Sequence, residues 1–277
     1  MHAVRDNAMF GLKSPKTGEV LREVNARQLW QRILETRLQT GEPYILNIDA
    51  VNRALPKHQR DLGLRVNTSN LCSEITLPTG IDHTGTDRTA VCCLSSLNIE
   101  TWDQWSETEG FVEDVLRMLD NVLTSFIETA PDGMERAKYS ALRERSVGLG
   151  VMGFHSFLQS KSIPMESAMA KSWNLRIFKK IRREADAASY ILAEERGACP
   201  DAAEKGMKAR FSHKIAIAPT ASISIICGGT SACIEPIPAN VYTHKTLSGA
   251  FVVRNPHLAR LLAEKGADTA ETWQSIV

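Results

Sequence analysis

Neither sign of charge is in excess in this chain: 33 Lys and Arg stand against 32 Asp and Glu, a formal net charge of +1. The basic surplus that non-specific nucleic-acid binding requires is therefore missing, and any nucleotide partner is expected to be a small molecule. No apolar run approaches the roughly 18 to 20 residues that span a bilayer, and Met1-His2-Ala3-Val4-Arg5-Asp6 has no signal-peptide core. A cytoplasmic location without a membrane partner is the expectation. The six cysteines contain no C-x-x-C pair, and none of the seven histidines stands at finger-like spacing from a cysteine pair, so no metal site is expected. Their irregular spacing is also unlike a secreted disulfide framework, and reduced thiols fit better. There is no internal repeat, low-complexity tract or linker, so one domain over residues 1–277 is the simplest reading.

What is present suits a folded protein with a real core, at 43% hydrophobic residues. Leu29, Ile33 and Leu38 share one face of a helix expected from Asn25, its cap, to Gly41. Glu42 to Asp49 reads as a short buried strand, followed by a polar loop from Pro56 to Leu64. Val112, Val115, Leu116, Leu119, Val122, Leu123, Phe126 and Ile127 mark a long core-facing helix that ends at Pro131-Asp132-Gly133. A charged helix is expected from about Glu166 to Arg196, ending at Gly197, with its Lys and Arg residues as a solvated face. A strand follows over 214–218, then a helix opened by Asn255-Pro256 that stops near Gly266. Gly148, Gly150 and Gly153 lack the spacing of a dinucleotide fingerprint and read as close-packing positions. Helices alternating with short apolar strands give an α/β fold.

The chemistry concentrates in Asn70-Leu71-Cys72-Ser73-Glu74. An amide, a thiol and a carboxylate recur at every second position, and an extended backbone would turn all three to one face. Cys92 and Cys93 follow twenty positions on, and a second thiol reaches the first if the two segments lie side by side. A free cysteine is often a small buried hydrophobe, so packing competes with redox chemistry as an explanation. Asn70 and Glu74 are costly to bury unpaired, which weighs against a plain core stripe.

Three segments, in order, carry a resemblance. Asn70 to Thr79 resembles the radical-cysteine loop of the large, catalytic subunit of ribonucleotide reductase. Val91-Cys92-Cys93-Leu94-Ser95-Ser96-Leu97-Asn98 resembles the strand bearing one of that family's reducing cysteines. Ile217-Ala218-Pro219-Thr220-Ala221-Ser222-Ile223-Ser224, with Gly228-Gly229-Thr230 and Ile234-Glu235-Pro236, is similar to its phosphate-binding turn, and Tyr242-Thr243 with Leu247-Ser248-Gly249 continues the likeness. The style of the Thr220 to Ile234 run points to the aerobic bacterial class I type. The resemblance implies part of a ten-stranded α/β barrel with a finger loop for the radical cysteine, covering its middle-to-late portion and truncated at both ends.

By the same resemblance, the reaction reduces ribonucleoside diphosphates to deoxyribonucleoside diphosphates. Cys72, as a thiyl radical, takes the 3′ hydrogen, and Glu74 deprotonates the 3′-hydroxyl. Asn70 holds that hydroxyl region, with Leu71 beside the substrate, and Cys92 supplies reducing equivalents. Pro219, Thr220, Ala221, Ser222, Ile223 and Ser224 receive the phosphates. No cofactor is expected on this chain. The radical is implied to come from a separate metal-containing small subunit, and electrons from thioredoxin or glutaredoxin. ATP and dNTP effectors and a homodimer are implied for the full-length protein. The second reducing cysteine belongs to an upstream region that these residues do not match. An alternative therefore stands: a non-catalytic or split-gene piece that binds nucleotide or works only when assembled.

Overall fold

Leucines and valines at three-and-four spacing build the two helices that dominate the core. The computed structural model describes residues 1–276. Helix Phe111–Thr129 buries Val112, Leu116, Leu119 and Leu123, and helix Ala168–Arg196 buries Ile177, Ile181, Ala185, Ala188 and Leu192 against the same cluster. Each buried Leu or Ile side chain contributes on the order of 1.5–3 kcal/mol. The long helix keeps its Lys and Arg side chains mainly on the other face, as the charge pattern predicts. Contacts divide the chain into two compact units, residues 1–47 and the remainder from Ile48 onward.

The first unit holds an antiparallel hairpin, Met9–Lys13 with Val20–Asn25, leading directly into helix Ala26–Thr40. The predicted caps are in place: the Asn25 side chain accepts the Gln28 N–H, and Gly41 adopts φ 81°. The expected apolar face is not buried within the unit, for Ala26 is the helix's only buried residue and Leu38 is 89% exposed. The expected strand over 42–49 does not form. Its residues are irregular up to helix Ile48–Ala54, because no described segment offers them a backbone to pair with.

In the second unit, strand Leu94–Asn98 runs parallel to strand Gly148–Met152, from Leu94 opposite Gly148 to Asn98 opposite Met152. Parallel strands need a long crossover, and helices Phe111–Thr129 and Glu135–Glu144 supply it. A third strand position is added beside the second. Leu149 bridges Ile215, with its N–H donating to Lys214 O at 2.8 Å and its carbonyl accepting from Ala216 N at 3.3 Å. Only that part of the expected 214–218 strand is paired. The segment read as a polar loop contains a short helix, Lys57–Asp61, whose His58 and Gln59 point into the protein. A second hairpin, Val241–Thr246 with Gly249–Arg254, precedes helix Pro256–Glu264, which Asn255 caps as predicted, and a further helix, Ala270–Ile276, follows.

Gly148 and Gly150 are packing positions, as their spacing suggested. All five residues of their strand are buried, and a Cβ on Gly150 would stand 2.4 Å from the backbone oxygen of Ala216. That oxygen belongs to the neighbouring strand and cannot swing away. Gly150→Ala is therefore expected to destabilise the second unit by roughly 1–3 kcal/mol, as overpacking does. A urea titration checks this, and an unchanged midpoint would mean that the third strand is not held there.

Candidate functional site

The Asn70–Glu74 segment is a turn. The expectation of an extended strand is corrected: Ser73 N donates to Asn70 O at 3.1 Å, and Ser73 has φ 62°, which no strand residue adopts. Asn70 Nδ2 donates to Glu74 Oε2 at 2.7 Å, and Asn70 Oδ1 accepts the Ile75 N–H at 3.1 Å. Ser69 Oγ closes the base of the turn on Ile75 O at 2.6 Å. The amide and carboxylate meet because the chain folds back, not because alternate side chains share a face. Leu71, 91% exposed, and Cys72 stand at the exposed tip.

Cys92 lies on the neighbouring segment, two residues before strand Leu94–Asn98. Glu74, Ile75, Thr76 and Leu77 share a cavity of about 50 Å³ with Val91, Cys93 and Leu94, so the two cysteine-bearing segments run side by side, as the spacing allowed. Partial burial, then the charges of Glu74 and Cys72, push the Cys92 thiol above its ordinary value. Replacing Glu74 by Gln removes one of those charges. The pH midpoint for alkylation of Cys92 by iodoacetamide is expected to fall in that variant. An unmoved midpoint would show that Glu74 does not act on Cys92. Cys93 turns the other way, into the core, with its sulfur 3.7 Å from Leu119 O.

The floor of this cavity was not legible in the sequence. Ser146 and His213 line it, and both connect to a buried polar chain. Ser146 Oγ donates to Glu144 Oε2 at 3.0 Å, Gln59 Nε2 donates to the same oxygen at 3.2 Å, and Gln59 Oε1 lies 2.9 Å from His213 Nε2. Burial pushes the Glu144 carboxyl up to about 7 and His213 down to about 4, so both favour their neutral forms in the fold. Ser146 and His213 sit in loops, Gln59 on a five-residue helix and Glu144 at the last position of helix Glu135–Glu144, so no apolar periodicity marks them. The one signal available was a histidine-glutamine pair in a stretch too polar to be buried without partners.

Residues 219–224 form a tight turn rather than a strand leading into a long helix, since helix Ile223–Ile226 has only four residues. Thr220 and Ser224 are buried and their hydroxyls hold the turn together. Thr220 Oγ1 accepts Cys233 N–H at 2.8 Å, and Ser224 Oγ donates to Ala221 O at 3.3 Å. Pro219, Ala221, Ser222 and Ile223 are exposed, and among the described residues no protein group accepts from the N–H of Ala221, Ser222 or Ile223. Consecutive free backbone donors can bind an anion. This turn follows the third strand position and meets Asn98 at a C-terminal strand end, while the base of the Cys72 loop shares its cavity with Ile215 and Ala216, shortly before the turn in the chain. No hydrogen bond joins the two among the described residues. No helix there is long and apolar enough to cross a membrane.

With this geometry in view, comparisons with known proteins converge. The family model described as "Ribonucleotide reductase, barrel domain" matches residues 11–209 and 200–277. The chain is 49% identical over 270 residues to the ribonucleoside-diphosphate reductase large subunit of Invertebrate iridescent virus 3, covering 96% of this chain and 42% of that protein. It is 32% identical to the large subunit of Caenorhabditis elegans, covering 94% of this chain and 36% of the relative. Among solved structures, the Actinobacillus ureae class Id ribonucleotide reductase alpha subunit superposes with a TM-score of 0.80 at 38% identity, over 90% of this chain and 45% of that one. The chain thus spans less than half the length of each of these relatives.

Proposed function

The chain belongs to the ribonucleotide reductase barrel-domain family, and from that premise we propose that it supplies the radical-thiol site of a ribonucleoside-diphosphate reductase. Residues 1–277 are then a single barrel domain, truncated at both ends relative to the family, that includes both compact units. The reading is carried by one observation: a turn clamped by Asn70 and Glu74 holds Cys72 at an exposed tip, beside the segment of a second thiol, Cys92.

In this reading Cys72, once oxidised to the thiyl radical by a separate metal-containing small subunit, removes the 3′ hydrogen of the ribose. The S–H bond so formed is close enough in strength to the sugar C–H for the hydrogen to be returned at the end. Glu74 accepts the 3′-hydroxyl proton, which helps the 2′-hydroxyl leave as water, and Asn70 and Leu71 flank the same hydroxyl region. Asn70 already donates to the Glu74 carboxylate, which leaves a carboxylate oxygen for the substrate. Cys92 and the second reducing cysteine, from the segments that complete the relatives' length, together give up two electrons and two protons. These place hydrogen at the 2′ carbon and let the hydroxyl leave as water, and the two sulfurs end as a disulfide. That disulfide is reset by a thioredoxin- or glutaredoxin-type dithiol.

The free N–H groups of Ala221, Ser222 and Ile223 bind the diphosphate, with Pro219, Thr220 and Ser224 shaping the turn. In this reading the whole protein is a class I reductase with diphosphate substrates, nucleotide effectors, a homodimeric assembly and a cytoplasmic location. An aerobic bacterial variant is favoured by the motif style around Thr220 to Ile234. The second reading is a piece that binds nucleotide without turnover unless assembled. Mixing the chain with the segments that complete the relatives' length and a radical-generating small subunit separates the two. Deoxyribonucleoside diphosphate formation supports the reductase reading, and nucleotide binding with no product supports the other.

A further inference from the structure

We propose that Cys72 and Cys92 form a reversible disulfide with each other in the presence of a small-molecule disulfide such as oxidised glutathione, and that this bond is a protected, inactive state of the site. Among the six cysteines, only Cys72, Cys92 and Cys227 are exposed. Cys93 faces the Leu119 carbonyl in the core, Cys199 lies 3.5 Å from Ser212 Oγ in another buried pocket, and Cys233 is enclosed beside Thr220. Cys227 belongs to the turn at a C-terminal strand end, where its carbonyl meets Asn98. Cys72 and Cys92 are left as the two accessible thiols on adjoining segments, whose continuations form facing walls of one small cavity.

Two further features favour the bond. The Cys72 tip is free of regular secondary structure and packs its Leu71 neighbour against nothing, so it is free to adjust toward disulfide geometry. Its base is fixed by the Asn70–Glu74 and Ser69–Ile75 contacts, which keep the sulfur near Cys92 and raise its effective concentration there. The chemistry is two successive exchanges. One cysteine thiolate attacks the small disulfide and expels one small thiolate, and the second cysteine thiolate then attacks the protein sulfur of the mixed disulfide and expels the other. The protein loses two electrons and two protons, and the small disulfide becomes two thiols. Because Cys92 is pushed toward its protonated form at neutral pH, the exchange accelerates as the pH is raised. The bond rests on geometry alone. Only its inhibitory consequence, the loss of the Cys72 thiol that takes the 3′ hydrogen, rests on the proposed function.

Incubating the chain with oxidised glutathione, blocking free thiols with N-ethylmaleimide and digesting with trypsin tests this without any turnover. The expected product joins peptide 66–88, which holds Cys72, to peptide 89–117, which holds Cys92 and Cys93. Reactivity of Cys72 and Cys92 toward maleimide should fall together, one for one, and return with dithiothreitol. In Cys92→Ser the cross-link should vanish and glutathione should remain on Cys72; in Cys93→Ser the cross-link should persist. Glutathione on both Cys72 and Cys92 without a cross-link would overturn the proposal. So would a Cys92–Cys93 bond, or a Cys72 bond between two chains.

Discussion

Cys72→Ser is expected to lower turnover of the assembled reductase by at least about a thousandfold, more than 4 kcal/mol of transition-state stabilisation. Nucleotide affinity should stay within about twofold. The effect is chemical rather than structural, because Cys72 sits at an exposed tip and no hydrogen bond of the turn involves its sulfur. A serine hydroxyl would need a much stronger O–H bond to be made and broken at the sugar carbon, so the hydrogen would not move reversibly. The turn proposed to bind phosphate shares no hydrogen bond with the Cys72 loop among the described residues and keeps its own Thr220 and Ser224 contacts in the variant. Product formation and nucleotide binding, measured on the same preparation, check the prediction. Turnover that survives the substitution would sink the assigned mechanism, and a parallel loss of binding would point to a structural role.

Asp120→Ala is expected to cost about 3–5 kcal/mol, the range for breaking a buried ion pair and stranding its partner. Asp120 lies fully buried on helix Phe111–Thr129 and gathers three guanidinium groups. Arg145 Nε reaches Oδ1 at 2.9 Å, Arg210 reaches both oxygens at 2.9 and 3.1 Å, and Arg196 reaches Oδ2 at 2.8 Å. Arg210 also donates to the carbonyls of Arg196 and Gly197, which ties the end of helix Ala168–Arg196 to this hub. Burial pushes the Asp120 carboxyl up, but Arg210, Arg196 and Arg145 outweigh it and hold it below the usual carboxylate range. A depressed carboxyl contributes stability above its unfolded value, and that stability is lost as the pH falls through the lower folded value. Asp120→Asn keeps the shape and part of the hydrogen bonding, so it should cost less than the alanine. Urea titrations of the three forms at neutral pH decide the matter. Equal midpoints would mean that the arginines find water instead.

Much of the helical scaffold was legible because periodicity and caps are local signals. Asn25, Gly41, Gly197 and Asn255 start or end helices where capping chemistry and glycine's backbone freedom placed them, and the Val112 to Ile127 stripe is the core-facing helix it described except at Val122, which is exposed. The hairpins at Met9–Asn25 and Val241–Arg254 escaped notice because their strands are mostly exposed and carry little apolar alternation. The strand expected over 42–49 failed for a related reason: apolar composition predicts burial, but a strand also needs a neighbour.

At the site, residue types gave the membership of the Cys72 loop, and the spacing allowed but did not fix its approach to Cys92. They did not give its shape, which depends on Ser73 entering the left-handed region and on one side-chain bond across the turn. The buried chain from Glu144 through Gln59 to His213 depends on contacts between residues as far as 154 apart in sequence, and no local pattern encodes those. The Asp120 hub was hidden for the same reason, since Arg196 read as part of a solvated charged face and Arg145 and Arg210 lie far from Asp120 in sequence.

The central claim is that Cys72 takes and returns a hydrogen while Cys92 is the thiol consumed. A single turnover of the pre-reduced assembled complex, with no external reductant, followed by alkylation and peptide mapping, tests it most directly. The account predicts that Cys92 becomes unavailable to alkylation in proportion to the deoxynucleotide formed, while Cys72 ends the turnover as a free thiol. Product accumulating with Cys92 still alkylatable, or with Cys72 consumed in its place, would contradict it.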